Sequence, residues 1–143
     1  MKKLLIFFIT LIALLAGCNQ SVSPEDVAKV TYEWERATLK ADYEREQKLL
    51  FKEGTYEIHK ESPARNNNLK YKDMKIEVFY DKKNKRYYSL FSYTNPEAGN
   101  KVDDSYVVRE KNRVLKIDIE GSKDIDQVKV RNNFEREACI HCK

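Results

Sequence analysis

The apolar residues change their spacing partway along the chain, and this change constrains the fold most. Between Val27 and Ala41 they recur every three or four residues, which is typical of one face of an amphipathic helix. From Met74 to Tyr80 they occupy every second position, which indicates a β-strand with one buried face. A helix followed by strands predicts an α+β fold, in which the helix packs on one face of an antiparallel sheet.

The first helix has a clear start and an interrupted end. Ser23 can cap it and Pro24 suits its first turn, while the acidic residues that follow complement the positive end of the helix dipole. The apolar stripe breaks near Asp42, a second apolar group follows at residues 49–51, and Gly54 closes the segment. The pattern predicts either one bent helix or two helices with a joint near Asp42.

Four strands are predicted after residue 71, at 74–80, 86–95, 105–110 and 114–119. A tight hairpin at Lys111 and Asn112 should join the last two, because Asn tolerates the positive φ of such turns. A short strand is expected at 56–60, before a loop that contains Pro63. After Gly121, residues 125–130 suit a further strand or an amphipathic turn, and residues 135–142 favour a frayed helix.

The N-terminus has the composition of a signal peptide. Lys2 and Lys3 precede an apolar run at residues 4–16, which is shorter than the roughly 20 apolar residues that cross a bilayer. The run ends in a short motif made of Leu15, Ala16, Gly17 and Cys18. This motif resembles the lipobox of bacterial lipoproteins. An uncleaved membrane anchor, or a signal peptide cleaved elsewhere, is the alternative.

The lipobox resemblance implies a processing route. Residues Leu15, Ala16 and Gly17 would be recognised by the signal peptidase, which would cleave between Gly17 and Cys18. The sulfur of Cys18 would carry a diacylglyceryl group, with palmitate among its acyl chains, as the lipid anchor. The implied location is the outer face of the cytoplasmic membrane. The resulting division is a signal peptide at 1–17, a tether at 18–22, a domain at 23–120 and a C-terminal extension at 121–143.

The charge balance argues against a nucleic-acid partner. The chain has 27 Lys and Arg residues against 23 Asp and Glu, and basic residues alternate with acidic ones. Two of the excess positive charges, Lys2 and Lys3, lie in the signal peptide. No cofactor motif or phosphate-binding glycine loop is present.

The opening of the domain resembles that of NTF2-like proteins. The resemblance rests on the run from Ser23 to Val27, on Trp34 and Ala37, on the run from Ala41 to Glu44, and on Leu49 and Leu50. It implies a long, broken helix wrapped by a curved antiparallel sheet of four or more strands. The outline is also similar to the small cystatin-like-fold lipoproteins of Gram-positive bacteria.

The NTF2-like resemblance also implies a pocket between the helix and the sheet. The aromatic residues predicted to line it are Trp34, Tyr80, Tyr88, Phe91, Tyr93 and Tyr106. The alternative is that these rings simply pack in strands, where aromatic residues are favoured. Asp42, Glu77 or Asp118 could serve as a general base in such a pocket, but catalysis needs a second titratable group nearby. His59 is expected to be exposed at a strand end.

Cys139 and Cys142 form a Cys-x-x-Cys motif. Outside the cytoplasm a small-loop disulfide is the expected state, and free thiols are the first alternative. A redox role is less expected, because the βαβ context of redox motifs is missing. A zinc site would need Cys139, His141 and Cys142 together with distant His59.

The leading functional hypothesis is a non-enzymatic, lipid-anchored module that binds an envelope protein or a small ligand. One alternative is an NTF2-like isomerase or hydrolase, which a buried carboxylate or His facing an apolar cavity would favour and a sheet face closed by side chains would exclude. The other is a thiol–disulfide protein that uses Cys139 and Cys142.

Overall fold

The structure is a computed structural model that describes residues 22–66 and 70–142. The predicted signal peptide and lipobox, with Leu15, Ala16, Gly17 and Cys18, lie outside the described residues, as does most of the predicted tether.

Two consecutive helices open the fold. Helix α1 spans Pro24–Leu39 and begins at Ser23, whose side chain forms a reciprocal capping box with Asp26. Helix α2 spans Tyr43–Leu49 and begins at Asp42, whose carboxylate accepts a hydrogen bond from the backbone N–H of Arg45. The turn between them is sharp because Ala41 has a φ of 51°. Of the two predicted forms, the structure has two helices with a joint at Asp42.

Five strands form one open antiparallel sheet, in the order β4-β3-β2-β1-β5. The strands and the remaining helices are β1 Lys72–Asp81, β2 Arg86–Thr94, β3 Lys101–Lys111, β4 Val114–Asp118, α3 Ile119–Ser122, α4 Gln127–Asn133 and β5 Arg136–Ile140. The predicted α+β class and antiparallel sheet are confirmed.

The C-terminal tail corrects one prediction. Residues 135–142 were expected to be helical, but most of them form β5, which pairs with β1. Ala138 and Ile140 lie opposite Val78 and Ile76, so they join the core that α1 covers. The alternation of apolar residues is too short here to be distinguished from a helical pattern. Part of the predicted C-terminal extension therefore lies in the same sheet.

Three other local predictions are corrected or resolved. The expected strand at 56–60 is wrong: residues 58–60 form a turn, residues 56 and 57 have no regular structure, and the ring centroid of Tyr56 lies 5.1 Å from that of Trp34. The ambiguous stretch after residue 124 contains α4. The hairpin turn is centred on Asn112 and Arg113, with φ values of 54° and 64°, one residue beyond its predicted place.

The sheet is covered on both faces, unequally. On the α1 side, Trp34 is 1% exposed and packs in a core with apolar side chains of all the strands. On the opposite side, Phe79, Tyr88, Leu90 and Val107 pack with Val130 and Phe134 from the C-terminal segment. None of the described helices is long and apolar enough to cross a membrane.

Candidate functional site

The structure divides the six aromatic residues predicted to line a pocket. Four of them lie on the α1 side: the ring centroids of Trp34 and Tyr106 are 6.4 Å apart, and those of Phe91 and Tyr93 are 4.8 Å apart. Tyr88 points to the opposite face and packs on Phe134 at 5.1 Å, because neighbouring residues of a strand alternate between faces. Tyr80 stacks on Tyr87 at 4.6 Å, and neither borders the grooves described below.

Two carboxyl side chains, those of Glu35 and Asp104, lie among the aromatic residues on the α1 side. Glu35 of α1 is 3% exposed, and the hydroxyl of Tyr106 donates a hydrogen bond to its Oε1 at 2.5 Å. Asp104 and Tyr93 also lie within hydrogen-bonding reach of Glu35. We call Glu35, Asp104, Tyr71, Tyr93 and Tyr106 the carboxyl–tyrosine cluster.

Burial dominates the protonation of this cluster. It raises the pKa of Glu35 to about 8; the hydrogen bond from Tyr106 opposes the shift and the negative charge of Asp104 adds to it. Burial also raises the pKa of Asp104, although the hydrogen bond with Glu35 opposes this. With a pKa of about 8, Glu35 retains its proton at neutral pH.

The tyrosines of the cluster remain protonated. Burial raises the pKa of Tyr93 and of Tyr71, and the charge of Glu35 adds to both shifts. The Tyr71 hydroxyl is buried and has no hydrogen-bond partner among the described residues. The ring of Tyr71 lies 4.6 Å from that of Tyr93. The cluster thus presents hydroxyl donors beside a partly protonated carboxyl pair.

Two adjoining grooves reach the cluster from outside. The larger, which we call the sheet-end groove, has a volume of about 660 Å³ and is lined by Tyr71, Asp73, Met74, Lys75, Ser92 and His141. The smaller, of about 200 Å³, shares Asp73 and Ser92 with it and is also lined by Tyr93. Since Tyr71 and Tyr93 also belong to the cluster, their rings connect it to the surface. Glu35 lines neither groove.

The backbone of the sheet-end groove has two unusual conformations. Asp73 has a φ of 49° and lies in a bulge of β1 between Lys72 and Lys75. His141, which follows β5, has a φ of 56°. Non-glycine residues in the left-handed region cost conformational energy and tend to cluster at functional sites, as bulges do. The pairing of β5 with β1 brings these two residues together.

A second polar pair joins Glu46 of α2 to His59 in the turn region that follows. Nδ1 of His59 is 2.6 Å from Oε1 of Glu46, and the Glu46 side chain is fully buried. Burial raises the pKa of Glu46, which the hydrogen bond with His59 opposes. The expectation of an exposed His59 is wrong: its side chain is 18% exposed, and its ring lies beside that of Tyr56.

The three acidic residues suggested as general bases have structural partners. Asp42 caps α2, and Asp118 caps α3 and pairs with Arg109 at 3.2 Å. Glu77 lies on the face opposite α1, where Lys75 and Arg131 both approach its Oε2 at 3.0 Å. Burial raises the pKa of Glu77, but the hydrogen bonds from these cations outweigh it and the pKa is lowered.

Glu35 and Asp104 are not among the residues predicted from the sequence. Glu35 follows Trp34 and lies four residues after Thr31, which is also buried, so the stripe of α1 is wider than its apolar residues indicate. Asp104 precedes Tyr106 by two positions and so shares its face of β3. Either signal could have identified the cluster.

The C-terminal cysteines lie at the edge of the sheet. The sulfur atoms of Cys139 and Cys142 are in contact, and their Cα atoms are 5.7 Å apart, a separation typical of a disulfide. Cys139 lies opposite Glu77 of β1. Within residues 22–66 and 70–142, no group of three His, Cys, Asp or Glu side chains is placed to hold a metal ion.

Comparison with known proteins identifies the N-terminal segment. Residues 1–19 match the family model of the prokaryotic membrane lipoprotein lipid attachment site. The predicted lipobox is confirmed, and the chain is a membrane-anchored bacterial lipoprotein with a signal peptide. No curated protein and no solved structure matches the chain.

Proposed function

We propose that this lipoprotein is a non-enzymatic binding module, held by lipid on Cys18 at the outer face of the cytoplasmic membrane of a Gram-positive bacterium. Its ligand is a protein segment of the cell envelope or a small molecule. The proposal places the contact at the sheet-end groove. It rests on the attachment site in residues 1–19 and on the geometry of this groove.

The groove supports binding through its size and its lining. Its volume of about 660 Å³ lies within the range of ligand sites, on the order of 300–1,000 Å³. Asp73 offers an acceptor, Tyr71 an aromatic ring, and Lys75, which also pairs with Glu77, a cation, so polar and stacking contacts can act together. The left-handed residues at the groove are the observation that most favours function over packing.

Site-specific photo-crosslinking tests this proposal. A photoreactive amino acid replaces Ser92 in the full-length, lipidated protein in its own cells. The matched control is the same replacement at Val128, which is 64% exposed and outside the groove. We expect a discrete product from position 92 alone, whose mass distinguishes a protein from a small ligand. No product, or the same products from both positions, would contradict the proposal.

A second candidate is an acid–base enzyme of the NTF2-like isomerase or hydrolase type. The observation that favours it is Glu35, because a buried carboxyl with a pKa of about 8 beside Asp104 suits proton transfer at neutral pH. Incubating an envelope extract with the wild-type protein or with Glu35→Gln tests it. Turnover of an extract component by the wild type alone, seen by mass spectrometry, would favour the enzyme over the binding module.

A further inference from the structure

The described chain begins beside the β3–β4 hairpin. Val22 packs against the core that α1 covers, and it lines a groove of about 380 Å³ together with Arg113, Val114 and Leu115. The position at which the lipid-bearing segment joins the fold is therefore defined by packing.

Chain length limits how far this position can lie from the membrane. Four peptide units separate Cys18 from Val22, and a fully extended chain of that length spans about 14 Å. Because acyl chains would hold Cys18 at the bilayer surface, Val22 and the neighbouring hairpin must lie near the lipid headgroups. This step rests on the proposed lipid at Cys18.

The same end of the sheet is strongly basic. In an antiparallel sheet the β1–β2 and β3–β4 turns lie at one end. We call these turns, residues 82–85 and 112–113, together with Lys111 at the end of β3, the basic sheet end. Their exposed basic residues are Lys82, Lys83, Lys85, Lys111 and Arg113. Val114, which follows them, is 52% exposed.

Most of the acidic groups near this surface are already paired within the fold, and basic residues remain in excess. Asp81 is 3% exposed and is bonded to Arg86 and Asn84 within its own turn. In the groove beside Val22, Asp26 belongs to the capping box of α1, and Glu33 is ion-paired with Arg45. The exposed lysines at 82, 83 and 85 form no ion pair with the described residues. Glu110 and Glu137 are exposed close by, which leaves the five basic residues in excess over these two acidic ones.

We propose that the basic sheet end is a membrane-contact surface that takes anionic phospholipid headgroups, with Val114 at the interface. Clustered Lys and Arg side chains near a bilayer are attracted to anionic lipids, and this attraction is screened within about one Debye length. A lipid chain and a basic surface together hold a protein more firmly than either alone.

This orientation has a consequence for the sheet-end groove. Strand β3 has 11 residues and spans about 35 Å, with the basic sheet end at its C-terminus. Ser92 of the groove lies opposite Asp103, near the start of β3. The groove would therefore face away from the membrane, where it is open to partners.

Fluorescence quenching in vesicles tests the orientation. The full-length, lipidated protein carries a fluorescent amino acid at Val114, or at Ala98 in the loop at the other end of β3 as the matched control. Vesicles contain phosphatidylglycerol and a lipid that is spin-labelled on its headgroup. We expect at least fivefold stronger quenching at position 114 than at 98. Equal quenching, or stronger quenching at 98, would overturn the proposal.

Charge reversal tests the chemistry of the contact. Lys83→Glu with Arg113→Glu should reduce quenching at 114 severalfold, whereas Lys70→Glu with Lys101→Glu, an equal change at the other end, should not. Equal effects of the two pairs would contradict an electrostatic contact. Flotation with the vesicles separates the two proposals: a protein that does not float contradicts anchoring by Cys18, and one that floats without a difference between 114 and 98 contradicts only the orientation.

Discussion

The hydroxyl of Tyr106 on β3 donates a hydrogen bond to the buried carboxyl of Glu35 on α1. This contact joins the helix to the sheet through a group that titrates near neutral pH, since the pKa of Glu35 is raised to about 8. The protonation of one carboxyl is therefore linked to the stability of the helix–sheet interface.

Stability should fall as pH rises from about 4.5 to about 8. Unfolded Glu35 releases its proton near 4.5 and folded Glu35 near 8, so the folded state binds more protons within this window. The amide side chain of Glu35→Gln cannot ionise, so the free energy of unfolding of this variant should depend less on pH. At pH 8 the variant should be more stable than the wild type by at most on the order of 4 kcal/mol. Urea unfolding at several pH values measures this, and identical profiles for both proteins would refute it.

Glu77 should show the opposite pH dependence. The hydrogen bonds from Lys75 and Arg131 outweigh burial and lower the pKa of Glu77. The contribution of ionised Glu77 to folding stability is therefore present above about pH 4.5 and is lost as pH falls through the lowered pKa. Glu77→Gln should cost about 1–2 kcal/mol at pH 7, because the partners are partly exposed and solvent screens them. The cost should shrink in acid. Glu77→Gln and Glu35→Gln therefore form a matched pair, whose effects on the free energy of unfolding should change with pH in opposite directions.

Thr31 and Ser89 form a buried hydrogen bond between α1 and β2. Their hydroxyl oxygens are 2.8 Å apart, and both residues are fully buried. Thr31→Val leaves the Ser89 hydroxyl without this partner and should cost about 1–3 kcal/mol. Adding Ser89→Ala should recover part of the loss. Additive losses in the double-mutant cycle would show that the two hydroxyls do not interact.

Cys139 and Cys142 should be oxidised in the protein isolated from cells. Intact-mass measurement before and after reduction should differ by two hydrogen atoms. Replacing both residues by Ser should lower stability by about 2 kcal/mol, the size expected for closing a short loop. If the pair is structural, thiol–disulfide exchange activity of cell membranes should not change in this variant. Loss of such activity would favour the redox alternative.

The sequence predicts the local elements better than their partners. The capping residues of α1 and the alternation in β1 are local signals, and both helix and strand form where these signals lie. Strand β5 and the sheet-end groove depend on contacts between residues far apart in the chain. The pairing of Ile140 with Ile76 has no local signal, and the local pattern of the tail favours a helix instead.

The candidate site shows the same limit. Trp34 and Tyr106 were identified because aromatic residues stand out, whereas Glu35 resembles any charged residue of an amphipathic helix. Its role becomes visible only when α1 packs on β3 and brings Asp104 and Tyr93 beside it. Burial of a charged side chain is a tertiary property that periodicity alone does not reveal.

Metabolic labelling with palmitate, combined with membrane fractionation, tests most directly whether lipid on Cys18 holds the domain at the membrane. The wild-type protein should be labelled and sediment with membranes, whereas Cys18→Ala should lose the label and be released or accumulate as the uncleaved precursor. Cys142→Ser serves as the control and should remain labelled. Unchanged labelling and fractionation of Cys18→Ala would contradict anchoring through this residue.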